Sequence, residues 1–96
     1  MSFRNTIFKK KNEIVKLAAV HGATNVRIFG STGRGEDNPN SDVDLLVEFD
    51  EDRSLFDLIR LREDLAQLLG RQVDVVTTDA LNSRIRQDVL GEALPL

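Results

Sequence analysis

The sequence predicts a small α+β domain: a mixed sheet of short strands with amphipathic helices packed against it. Three observations predict it. The stretches NVRIF at 25–29, DVDLLVEF at 42–49 and VDVVT at 73–77 are short and rich in apolar and β-branched residues, as strands are. Around and between them, apolar residues recur at helical spacing. Glycines also stand where two of those helices should stop, at Gly22 and Gly70. The 96 residues are read as one domain, 1–96, because that length supports a single two-layer core and little more.

The elements follow in order. From about Phe8 to His21, the residues Ile14, Leu17, Ala18 and His21 form a helical stripe with lysines opposite, and Gly22 ends it. Asn25 to Phe29 is the first strand, followed by a polar loop from Gly30 to Ser41. In the second strand Val43, Leu45, Val47 and Phe49 share one apolar face and alternate with Asp42, Asp44, Leu46 and Glu48. Ser54 suits a helix N-cap, and Leu55, Leu58, Ile59, Leu61, Leu65, Leu68 and Leu69 give a broad stripe that Gly70 terminates. Val73 to Thr77 is the third strand, with Asp74 inside it. Leu81, Ile85, Val89 and Ala93 resume helical spacing, and that helix should end near Pro95. The predicted order is helix, strand, helical turn, strand, helix, strand, helix.

Composition narrows the function classes. An apolar fraction of 41% and a charged fraction of 30% are ordinary for a globular protein. The chain has no cysteine, which excludes disulfides and thiolate metal sites and suits a cytoplasmic address. No apolar run approaches the ~20 residues of a membrane span. The basic N-terminus MSFRNTIFKKKNEIVK lacks the apolar core of a signal peptide. A net charge of -3 argues against direct nucleic-acid binding, and five Phe with no Trp or Tyr offer no stacking platform for single strands.

The chemistry concentrates in GSTGRGEDNPNSDVDLLVEF, Gly30 to Phe49. Residues i and i+2 of a strand point to the same side, so Asp42 and Asp44 aim two carboxylates together. Like charges so placed raise each other's free energy unless a cation sits between them. Paired hard oxygens suit Mg²⁺ or Mn²⁺, and Mg²⁺ is commonly held by carboxylates together with substrate phosphates. Asp74, interrupting an apolar run on another strand, is either a third carboxylate for a two-metal site or one half of a buried salt bridge to an arginine. Gly30–Ser31, a turn leaving a strand, can present N–H groups and a hydroxyl to a phosphate. Arg34 adds a cation nearby.

Jointly, Gly30–Ser31, ten intervening residues and Asp42-Val43-Asp44 make the GS-x10-DxD signature of the DNA polymerase β-like nucleotidyltransferase superfamily. Within it, NVRIFGSTGRGEDNPNSDVDLLVEF closely resembles the minimal nucleotidyltransferase (MNT) family, with its GSxARG…SDxDLLV pattern. The likeness runs over most of the chain, from the helix before Gly22 to Asp74 and on toward Glu92-Ala93. It implies the nucleotidyltransferase fold with the DxD strand central. It also implies that Asp42, Asp44 and Asp74 are the catalytic carboxylates and hold two Mg²⁺ ions (or Mn²⁺), with Asp74 helping to deprotonate the acceptor. Gly30 and Ser31 would hold the β- and γ-phosphates of ATP, with Arg34 close by and Ser41 among the nucleotide-binding positions. One departure is Gly33, where the family usually has Ala; glycine loosens a helical turn by about 1 kcal/mol.

The resemblance further implies an antitoxin that transfers AMP from ATP to a tyrosine hydroxyl of a partner HEPN-domain toxin, forming a hetero-oligomer with it. Two alternatives stand beside that expectation: a non-catalytic antitoxin that neutralises its partner by binding, and nucleotidyl transfer to a small molecule. Elsewhere, His21 is read as packed rather than catalytic and Lys9-Lys10-Lys11 as an exposed face. The leucine stripe is read as core with a surplus that could form a partner-binding edge. The loop EDNPN, 36–40, lacks the spacing of a calcium loop.

Overall fold

The three alternating stretches become neighbours in one mixed sheet, and a fourth strand joins them. The computed structural model describes residues 3–36, 38, 40–81 and 83–96; Asp37 and Pro39, within the EDNPN stretch, lie outside the described residues. The elements are α1 (Phe3–Lys9), α2 (Lys11–Val20), β1 (Ala23–Phe29), α3 (Gly30–Arg34), β2 (Val43–Phe49), α4 (Leu55–Leu69), β3 (Val73–Thr77), a 3-10 turn (Thr78–Ala80), α5 (Ser83–Glu92) and β4 (Leu94–Pro95). The strand order is β3-β2-β1-β4. β2 runs antiparallel to β1 and parallel to β3, and β4 pairs antiparallel with β1. The strand carrying Asp44 is therefore interior, with a neighbour on each side.

One face of the sheet makes the core. Val43, Leu45 and Val47 of β2 are buried with Val26 and Ile28 of β1 and Val73 and Val75 of β3. Ile14 and Ala18 of α2 and Leu61, Leu65 and Leu69 of α4 cover them. The i, i+4, i+8 spacing of those three leucines is one stripe of a helix, and it meets the odd-numbered face of β2. α4 starts at Ser54, whose N–H donates to the Asp57 carboxylate at 3.1 Å, a capping box. Among the described residues no helix is long and apolar enough to cross a membrane.

Several details depart from the sequence reading. The N-terminal helix begins at Phe3 and breaks at Lys10, with no Gly or Pro to announce it. Lys10 Nζ donates to the Leu68 carbonyl at 3.1 Å, near the C-terminus of α4, so the middle lysine of the triplet is a cap while Lys9 and Lys11 are exposed. The final helix stops at Glu92, and Leu94–Pro95 pair with Ile28 and Arg27 as β4. β1 is longer than expected and carries a bulge between Thr24 and Arg27, with Asn25 at φ +52. Leu46, on the reverse face of β2, is fully buried as well. At the start of α4 the stripe is not core: Leu55 is 70% and Phe56 73% exposed.

Candidate functional site

The site forms where β1 ends. Gly30 leaves the strand with φ +72, a conformation glycine adopts at no steric cost. A second constraint acts there, because a Cβ on Gly30 would collide with Oδ2 of Asp44. The Asp44 carboxylate thus rests directly against the backbone of the Gly-Ser turn. α3 continues from that turn, and its fully buried Thr32 donates Oγ1 to the Asp42 carbonyl at 3.2 Å. That bond ties the turn to the residue entering β2. Gly33 is buried too, and a Cβ there would stand 3.2 Å from the Ile28 carbonyl oxygen. The glycine therefore lets α3 lie close on β1, where alanine would require a small shift.

Asp42 and Asp44 project to the side of the sheet opposite the core, as period-two spacing dictates. Parallel register sets Asp44 beside Asp74, so all three carboxylates share one face. Asp42 and Asp74 are exposed and Asp44 is half-buried. Burial pushes the Asp44 carboxyl pKa up, and the negative charges of Asp74 and then Asp42 push it further, with Arg34 opposing them. The premise of a buried charge at Asp74 does not hold. Its side chain lies on the open face of an edge strand, where solvation removes the need for a salt bridge, and none of the described ion pairs involves it.

Among the described residues no three acidic or histidine side chains close into a metal cage. The donor chemistry nevertheless fits a hard divalent cation. It is all carboxylate oxygen, and the mutual repulsion expressed at Asp44 is what a cation relieves. Beside these residues is a cavity of about 420 Å³ whose lining includes Asp42, Asp74, Gln72, Arg62 and Glu63.

On the opposite side of Asp44 lie the Gly-Ser turn and Arg34. The Ser31 hydroxyl makes no hydrogen bond to another described residue, while its carbonyl accepts from the Glu36 N–H at 2.8 Å. Arg34 donates Nε to Glu36 at 3.1 Å and Nη1 to both oxygens of Glu92 at 3.2 and 3.3 Å. Glu92 also accepts from the Gly30 N–H at 3.3 Å. Ser41 is engaged locally: its Oγ accepts from the Asn38 N–H and its N–H donates to the Asn38 carbonyl, both at 3.0 Å. His21 stands away from the site, with Nε2 2.9 Å from Asp64, linking α2 to α4.

Two contributors escaped sequence reasoning. Thr32 looked like part of a generic turn, and nothing in its neighbourhood marks it as buried. Glu92 lies 58 residues from Arg34 along the chain, a distance no local pattern spans.

A Gly-Ser turn, a DxD on the adjoining strand and a third carboxylate on the parallel neighbour thus meet in one small α+β domain. The sequence profile described as nucleotidyltransferase domain matches residues 6–95. The chain belongs to that family. It is 45% identical over 73 residues to the protein adenylyltransferase MntA of Thermococcus cleftensis, covering 76% of this chain and 74% of that one. A solved structure with the provisional description of a minimal nucleotidyltransferase superposes with a TM-score of 0.89 and 46% identity, over 97% of this chain and 95% of the other. A toxin–antitoxin crystal structure containing AMP-PNP is similar at a TM-score of 0.76 and 25% identity, over 88% of this chain and 70% of that one.

Proposed function

We propose that this nucleotidyltransferase transfers AMP from ATP to a tyrosine hydroxyl of a partner toxin of the HEPN class and so acts as its antitoxin. The observation that carries the reading is the meeting of Asp42, Asp44 and Asp74 on one sheet face, beside a Gly-Ser turn whose backbone touches Asp44. The Thermococcus relative is named a protein adenylyltransferase, and the similar toxin–antitoxin structure contains an ATP analogue.

In this reading Asp42 and Asp44 hold the Mg²⁺ ions, with Asp74 as the third carboxylate. Bound there, Mg²⁺ would neutralise triphosphate charge and polarise the α-phosphate. Gly30 N–H and the Ser31 hydroxyl hold the β- and γ-phosphates, and Arg34 adds a permanent cation close to them. The acceptor approaches from the cavity beside Asp74, which takes the hydroxyl proton as the oxygen bonds to the α-phosphorus. The bond from that phosphorus to the bridging oxygen breaks, and pyrophosphate leaves. Arg62 and Glu63 bound the acceptor's path.

The test is incubation of the purified chain with its HEPN partner, ATP and Mg²⁺, read by intact mass. A partner heavier by one AMP residue or a multiple is the expected result. The double substitution Asp42→Asn and Asp44→Asn should slow the transfer by about a thousandfold or more, since it removes several kcal/mol of charge stabilisation. An unmodified partner, neutralised equally well by wild type and double variant, would leave an antitoxin that works by binding.

A further inference from the structure

The helix that delivers Glu92 is weakly held by burial. From Arg84 to Glu92, Val89 alone among the described side chains is half-buried and the rest are exposed, with Ile85 at 48% and Leu90 at 39%. Helices with so little burial open at low free-energy cost. Among the described residues, the C-terminal end of α5 is nonetheless held to the Gly-Ser turn by hydrogen bonds. Glu92 accepts from the Gly30 N–H and forks onto Nη1 of Arg34 with both oxygens.

Those donors are the ones assigned above to the phosphates of the nucleotide. Carboxylate and phosphate oxygens are both anionic acceptors of charge-assisted hydrogen bonds, so Glu92 satisfies the donors as a phosphate would. The two anions cannot share them. A triphosphate arriving beside an ionised glutamate meets both an occupied donor set and like-charge repulsion. Glu36 is placed differently, because it engages Nε of Arg34 and leaves the Gly30 N–H alone.

We propose that Glu92 is an internal ligand of the phosphate-binding donors, and that an incoming nucleoside triphosphate displaces it and releases the C-terminal end of α5. The inference rests on the nucleotide reading of Gly30 and Arg34. Glu92 then sets nucleotide affinity by competition, because binding-competent molecules are only those in which it has let go. The position of α5 in turn reports whether the nucleotide is present. β4 follows directly and pairs with β1, so that strand holds the chain beyond α5 to the sheet while Glu92 moves.

The experiment is calorimetric titration of wild type, Glu92→Gln and Glu36→Gln with AMP-PNP in Mg²⁺, paired with amide hydrogen exchange. Glu92→Gln keeps the size and one acceptor but removes the charge, and should bind about three- to tenfold more tightly. Glu36→Gln should change affinity less. Nucleotide should accelerate exchange across residues 84–92 in wild type, whereas Glu92→Gln should exchange rapidly there from the start. Equal or weaker binding by Glu92→Gln overturns the proposal, as does slower exchange of α5 on nucleotide addition, which would mark a helix that closes on its ligand. No binding by any of the three folded proteins overturns the nucleotide reading itself.

Discussion

At the scale of single residues, Gly30 carries two constraints that Gly70 separates. Both have positive φ, +72 and +68. A Cβ on Gly70 would meet nothing within 4 Å, whereas on Gly30 it would strike Asp44. Gly70→Ala should therefore cost only the left-handed strain of about 1–2 kcal/mol. Gly30→Ala should cost more in chemical denaturation and should also abolish AMP transfer, because Asp44 must leave its place. Equal losses for the two variants would show that Asp44 does not rest on the turn. Gly30 was legible in the sequence as part of a Gly-Ser turn. The contact with Asp44 was not, since it arises where β1 and β2 pair across the loop. Asp74 teaches the same lesson in reverse: its apolar neighbours suggested burial, but its place on an edge strand exposes it.

Elements show where periodicity speaks and where it stops. Leu61, Leu65 and Leu69 are buried, but the same stripe runs on to Leu55, which is 70% exposed beside Phe56 at 73%. Leu65→Ala should destabilise the fold by about 2–5 kcal/mol through lost burial and a cavity. Phe56→Ala should change stability by no more than about 0.5 kcal/mol. Urea unfolding of the two variants checks both, and a large loss for Phe56→Ala would mean that the first turn of α4 is packed after all. The helix itself was readable from Ser54 to Gly70, because a cap, a stripe and a stop signal coincide. The break at Lys10 and the strand at Leu94–Pro95 were not readable. The first depends on a lysine reaching the distant Leu68 carbonyl, and the second on an open edge of β1 that only the folded sheet creates.

For the whole molecule, gathering three carboxylates on one face is an electrostatic cost to the metal-free fold. Asp44 expresses it most, its pKa raised first by burial and then by Asp74 and Asp42. A carboxyl with a raised folded pKa binds its proton more tightly folded than unfolded. Its charge therefore destabilises the protein above the folded pKa, and this loss is recovered as pH falls to its ordinary 3.8. Asp44→Asn should accordingly raise the Tm of the metal-free protein at pH 7, and the gain should vanish near pH 3.8. A thermal-melt series across that range decides it; a constant difference at every pH would locate the effect in packing instead of charge.

By itself the sequence determined the class of fold, the order of its main elements and the residues to which the chemistry is proposed to belong. It could do so because strand alternation, helix stripes and caps are local patterns imposed by backbone geometry, and because the GS-x10-DxD spacing carries a family resemblance. Tertiary structure alone decided which groups meet. Parallel register placed Asp74 beside Asp44, antiparallel pairing brought the turn of Gly30 onto Asp44, and the returning chain set Glu92 on Arg34. Such contacts join residues far apart in the chain, and their positions follow from how the sheet and helices pack, which no local spacing encodes.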